Sequence, residues 1–271
     1  MSDGERPLHA VLVRSPEVFS PVVVAGVLAR RARAPALDFV PPARRAWGVA
    51  AEALPAADAE ALAAELTAAG QTALAAPTSL LETLPAPVQV VKAEFSGDGF
   101  DVVAGREGVV PERLSWARLA ALCAASVETR STMTVTEGGQ EMGERMLRLG
   151  LSMATGLPMM KSKSETKRVV ESRDRSLTLD LLFLEPAKRL RVDAKHFDYA
   201  LLGPKMTYGA ETNFVALLEE FAARAPNALR GKGFRGLLAH RPAAECGYES
   251  LEDLQREERW LLTLAALRAA L

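Results

Sequence analysis

Residues 213–225 read NFVALLEEFAARA, and the spacing of their apolar side chains decides how the second half of the chain is put together. Phe214, Leu217, Leu218 and Phe221 recur at intervals of three and four, which lines them along one stripe of a helix. Thr212 or Asn213 supplies the N-cap, and Pro226 ends the helix because it cannot continue the hydrogen-bond ladder.

Upstream the period is two. VQVVKAEF, GFDVVAG and LSWARLAALCAASVETRSTMTVTE read as strands, broken at Ser96-Gly97-Asp98-Gly99 and at Gly105-Arg106-Glu107-Gly108. The first break carries an Asp-Gly hairpin signal. KRVVESRD, SLTLDLLFLEP and KRLRVDAKHF continue the pattern, with Asp174-Arg175 as a turn and Pro186 as a stop. A run of antiparallel strands closed by one amphipathic helix resembles the pleckstrin-homology-like (PH-like) fold, a bent seven-stranded half-barrel plugged by a C-terminal helix. The resemblance covers residues 88–226 and rests on element order. It implies binding of phosphoinositides, phosphopeptides or protein partners rather than catalysis. The basic pair that flanks the first hairpin of that fold is reduced to Lys92 and Arg106, which weighs against lipid-headgroup specificity.

Pro85-Ala86-Pro87 marks a domain boundary, and residues 1–84 have a different texture. LHAVLV (8–13) is a short apolar run expected as a buried strand, and Ser15-Pro16 and Ser20-Pro21 each pair an N-cap hydroxyl with a proline suited to a helix start. The helix then runs toward Pro35. ALDFV (36–40) and RAWGVAAEAL (45–54) read as two strands around Pro41-Pro42, a second helix runs from Pro55 to Gly70, and QTALAAP (71–77) is the last strand. The order strand, helix, strand, strand, helix, strand is the ferredoxin-like βαββαβ plan. An RNA-binding version needs rings and cations on its central strands, and Trp47 is the only ring in RAWGVAA. A metal carrier needs paired cysteines in its first loop, and RSPEVFSP has none. Beyond the PH-like segment, residues 227–271 form a helical extension. It starts at the capping sequence Ser250-Leu251-Glu252-Asp253, and Leu251, Leu254, Leu261, Leu264 and Leu267 form its stripe.

The least average feature is compositional. Six of the eight methionines lie between Met133 and Met160, and a basic cluster follows. Residues 138–168 therefore read as an insertion into the β-rich domain. Helical spacing places Met142, Met146 and Met153 on one face, but Gly143, Gly150, Gly156 and Pro158 weaken a permanent helix. One reading is filler for an irregular gap, which Met suits. A second is an adaptable surface for a protein partner, formed by Met142, Met146, Met153, Met159, Met160, Lys161, Lys163, Lys167 and Arg168. A third is contact with an anionic membrane through the same lysines and arginine.

The remaining chemistry is sparse. A formal net charge of −1 gives no field for nucleic acid. Cys123 and Cys246 lie far apart without metal spacing, and no apolar run spans a bilayer, so a reducing cytoplasm is expected. In VDAKHFDYALLG, Asp193, His196, Asp198 and Tyr199 offer an imidazole with orienting carboxylates, with His196 and Asp198 expected on one face of a strand. LRGKGFRG (229–236) offers glycines with Arg230, Lys232 and Arg235 as an anion cradle, or a solvated basic loop. The expectation is an α+β protein without cofactor or metal, acting as a non-enzymatic regulatory or scaffolding module. Membrane or anionic-ligand binding and an enzyme centred on His196 stand as alternatives.

Overall fold

The computed structural model describes residues 7–105, 111–137 and 166–270, and the side chains of 7–105, 111–127 and 176–270. Residues 1–127 and 176–271 form one compact unit, and residues 128–175 form another. The fold is α+β, with a three-stranded and a seven-stranded sheet.

The small sheet is built on β1 (His9–Val13), whose last four residues are wholly buried. It lies between β2 (Val49–Leu54) and β3 (Ala73–Pro77), and both pair with it antiparallel. Helix α1 (Pro21–Ala32) starts as the sequence implies: the Ser20 hydroxyl accepts from Val23 N at 3.4 Å, and Pro21 occupies the first turn. The expected strand over 36–40 is instead the start of helix α2 (Ala36–Ala46), which runs through Pro41 and Pro42. Two prolines remove two backbone hydrogen bonds, yet Phe39, Val40 and Ala43 fall at helical spacing, with Ala43 buried in the core and Phe39 and Val40 packed against it. Tertiary burial outweighs the local penalty, and the sheet has three strands where four were expected. Helix α3 (Ala56–Ala68) ends ahead of Gly70, whose φ of 87° is open to glycine without strain.

The large sheet comprises β4 (Pro87–Phe95), β5 (Gly99–Ala104), β6 (Glu112–Ser115), β7 (Leu119–Glu137), β8 (Thr166–Phe183), β9 (Lys188–Asp193) and β10 (Leu229–Arg230). Its order is β10-β7-β8-β9-β4-β5-β6. The β4–β5, β5–β6 and β8–β9 pairs are antiparallel as expected, whereas β4–β9 and β10–β7 are parallel. Asp174-Arg175 does not turn the chain but lies inside β8, so two expected strands are one. The long stretch from Leu114 divides into β6 and β7 across a short turn at Trp116–Arg118.

Each face of this sheet has its own core. Alternation sends Leu177, Leu179, Leu181 and Phe183 of β8, with Leu190 and Val192 of β9, to one side. There they meet α4 (Ala210–Arg224), whose Phe214, Leu217, Leu218 and Phe221 are buried as the stripe requires. Phe100 and Trp116 stack at 4.5 Å, with Phe221 edge-on to both at 5.4 and 5.7 Å. The helix starts a turn earlier than its sequence suggests, with Gly209 as its N-cap. Asn213 is therefore inside it and bonds Thr207, its Oδ1 accepting from the backbone N at 2.7 Å and its Nδ2 donating to the O at 2.9 Å.

The opposite face of β7, Ala121, Cys123 and Ala125, joins Leu182 in a second core. That core also contains the small sheet and its helices, and the final helix α6 (Leu251–Ala269) through Leu254, Trp260, Leu261, Leu262 and Leu264. Burial on both faces explains why LAALCAA reads as continuously apolar rather than alternating. Residues 229–236 are not a solvated loop. They form β10 and the short helix α5 (Lys232–Leu238), in which Gly233 passes so close to β7 that a Cβ would lie 1.9 Å from Ala124 O.

A cleft under the final helix and a buried ionic network

The residues singled out by composition are not brought together among those described. Met142, Met146, Met153, Met159, Met160, Lys161 and Lys163 lie outside the described residues, as does Arg106; Lys167 and Arg168 fall within β8, where only the backbone is described. Lys92 pairs with Glu94 at 2.8 Å. His196 does not share a strand face with Asp198, because β9 ends at Asp193. It lies in the following turn, 73% exposed, with Nδ1 3.2 Å from Asp193 Oδ2. Asp198 caps the next turn by accepting from Ala200 N, and the buried Tyr199 hydroxyl donates to Ala194 O at 2.9 Å. The group is a set of turn-stabilising contacts around a solvent-facing imidazole.

A different site emerges where the end of α2, α5 and the first half of α6 converge. They enclose a cleft of about 480 Å3 with Trp47, Tyr248, Phe19 and Trp260 in its walls. Trp47 follows α2 with φ 53° and ψ −135°, a backbone conformation that costs a residue with a Cβ about 1–3 kcal/mol. It is held there by its indole N–H, which donates to Asp253 Oδ1 at 2.7 Å, and by Gly48, where a Cβ would lie 1.8 Å from the Trp260 ring. Trp260 in turn donates to Val13 O at 2.9 Å, which ties α6 to β1. The Trp47 and Tyr248 rings lie 5.3 Å apart, as do those of Phe19 and Trp260.

The acids of this cleft are engaged from within. Glu257, 1% exposed, accepts from the backbone N–H of Lys232 at 2.7 Å and from the Tyr248 hydroxyl. Tyr248 also accepts from Gly233 N at 3.1 Å. Burial pushes the Glu257 carboxyl up despite these donors, and burial together with Glu257 pushes the Tyr248 phenol well above its ordinary range. Glu257 thus fills the place at the start of α5 that the glycine-and-cation pattern offers an external anion. The cations differ: Arg235 bonds backbone carbonyls of Arg230 and Pro16, while Lys232 Nζ stands 6.0 Å from the Trp47 ring. Among the described residues neither Lys232 nor Arg44, which also lines the cleft, forms an ion pair.

Deeper on the same side lies an ionic network. Asp180 of β8 and Arg189 and Arg191 of β9 occupy the alternate positions that face α6, and Asp180 stands directly opposite Arg191. Arg189 donates to Asp180 Oδ2 through Nε at 3.0 Å and Nη2 at 2.7 Å; Arg191 Nε donates to Oδ1 at 2.7 Å. Glu258 of α6 is 0% exposed, and its Oε2 is 2.7 Å from Arg189 Nη2. That contact is electrostatic, because its angle falls outside hydrogen-bond geometry and both Glu258 oxygens lack a hydrogen-bond partner among the described residues. Burial and the adjacent Asp180 charge push the Glu258 carboxyl well above its ordinary value, outweighing the opposing pull of Arg189 and Arg191. Burial also raises Asp180, but bonds from Arg191 and contacts with Glu258 and Arg189 prevail and hold it below the usual range.

Sequence reading missed Asp253, Glu257 and Glu258 because acids near a helix start are ordinarily solvated. One signal was present: Asp180, Arg189 and Arg191 alternate with leucine and valine on strands joined by a short turn, which places opposite charges across a ladder. Among the described residues no cluster of three His, Cys, Asp or Glu is placed to hold a metal, and no helix is long and apolar enough to cross a membrane. No protein-family model matches the chain, and no curated protein or solved structure matches it.

Proposed function

We propose that the protein is a non-enzymatic regulatory or scaffolding module that binds a protein partner through residues 138–168. One observation carries this reading. β7 and β8, 19 and 18 residues long, are neighbours in the sheet, and the methionine-rich stretch is the sequence that connects them. Methionine makes adaptable apolar contacts, and the cations beside it suit an acidic rim on the partner. The engagement of Glu257, Asp253 and Asp180 by the chain's own donors further favours binding over turnover. We read the seven-stranded sheet closed by α4 as PH-like in plan. The N-terminal layer is then a ferredoxin-like variant with a helix in place of its second strand, and the proposed compartment is the cytoplasm.

The test is affinity purification from lysate with the full chain and with residues 138–163 replaced by a short Gly/Ser link. Loss of a specific protein from the shortened chain, with its circular dichroism and thermal transition unchanged, supports the reading. Recovery of the same proteins by both chains contradicts it. Vesicle binding that falls steeply with salt and disappears on the replacement would favour an anionic surface as the target.

A further inference from the structure

We propose that the cleft between α2, α5 and α6 binds a small aromatic carboxylate. Its volume, about 480 Å3, is in the range that encloses small organic ligands. Its apolar lining is the four rings of Phe19, Trp47, Tyr248 and Trp260 with Pro16 and Pro21, and the Trp47 ring is kept in place by a strained backbone, a buried hydrogen bond to Asp253 and the close seat of Gly48 on Trp260. Such strain persists only where surrounding contacts over-determine it, and it places an aromatic face at the cleft before any ligand arrives.

The polar groups then select the charge. Asp253 and Glu257 already accept from Trp47, Tyr248 and the Lys232 backbone; the donors not hydrogen-bonded there are Lys232 Nζ, whose charge also acts on Glu257, and the Arg44 guanidinium. Both cations line the same cleft as the rings, and Lys232 Nζ stands 6.0 Å from the Trp47 ring, so an anionic group on a ring bound there would meet positive charge. Glu17 and Glu249 also line the cleft and are exposed, and their charge disfavours a dianion. One carboxylate on a planar ring satisfies both conditions. This inference does not depend on residues 138–168.

Isothermal titration calorimetry on the full chain tests it, with indole-3-acetate and benzoate as probes. Cyclohexanecarboxylate keeps the charge without the flat ring, benzyltrimethylammonium keeps the ring with opposite charge, and phenyl phosphate adds charge. The expected result is saturable binding of the aromatic acids, weaker binding of all three comparison compounds, and a loss of about tenfold or more in Lys232→Ala, with a smaller loss in Arg44→Ala. Both side chains are exposed, so neither substitution threatens the fold. The proposal is overturned by absence of saturable binding of either acid, by wild-type affinity in both variants, or by tighter binding of benzyltrimethylammonium or phenyl phosphate than of the acids.

Discussion

On one face of the seven-stranded sheet, α4 contributes Phe214, Leu217, Leu218 and Phe221, an unbroken apolar stripe. On the other, α6 contributes Leu254, Trp260, Leu261 and Leu264, but three acids, Asp253, Glu257 and Glu258, are buried beside them. The α4 face gains its stability from area and ring packing, which tolerate modest rearrangement. The α6 face has polar requirements that only one placement meets: Trp47 for Asp253, Tyr248 and the Lys232 backbone for Glu257, and the neighbourhood of Asp180 for Glu258. Area holds the first helix in place, whereas the second is also fixed in position, and it is the second that borders the cleft.

Substitutions on the two faces sharpen this contrast. Arg189→Ala leaves Asp180 buried with fewer donors and is expected to cost about 3–5 kcal/mol in urea unfolding. Phe221→Ala on the apolar face is expected to cost a similar amount, about 3–5 kcal/mol, through a cavity. The contrast lies in the repair: Phe221→Leu should recover much of the loss, while Arg189→Met should not, because Asp180 still lacks the two bonds that Arg189 gave it. Equal recovery in both would erase the distinction between the faces. Next in size, Trp47→Phe keeps a ring but leaves Asp253 buried without its donor, and about 1–3 kcal/mol is expected. Replacing residues 138–163 should have the smallest effect, leaving the cooperative transition of the compact unit in place by calorimetry.

The same contrast explains what was legible in the sequence. The α4 stripe was readable because its only requirement is apolar spacing, and β4, β5, β8 and β9 were readable as strands, whereas β7 is apolar on both faces and shows no alternation, and the two residues of β10 were read as a loop. The turn expected at Asp174-Arg175 was wrong because turn-type residues also sit in a ladder when neighbouring strands supply the pairing. The strand expected at ALDFV was wrong because Pro41-Pro42 normally break a helix, and only the core contacts of Phe39, Val40 and Ala43 reverse that preference. The cleft was invisible for a different reason: Trp47, Lys232, Tyr248 and Glu257 are spread over about two hundred residues of chain, and no local spacing links them.

Glu258 offers the most direct test, since the α6 face buries a carboxyl that its surroundings shift toward the protonated form, and among the described residues the α4 face buries no such acid. A carboxyl raised in the folded state stays protonated there while the unfolded chain ionises near the usual glutamate value, about 4.3. Its stabilising contribution is complete below that value and is lost as pH rises toward the folded pKa, by at most about 1.4 kcal/mol per pH unit. Gln keeps the shape and a donor but cannot titrate. The decisive measurement is the unfolding free energy of wild type and Glu258→Gln in urea at pH 5, 6, 7 and 8. The expected result is near-equality at pH 5 and a growing advantage for the glutamine chain as pH rises. A glutamine chain less stable by a constant margin at every pH would mean that Glu258 is ionised and paired with Arg189, contradicting the reading of this face.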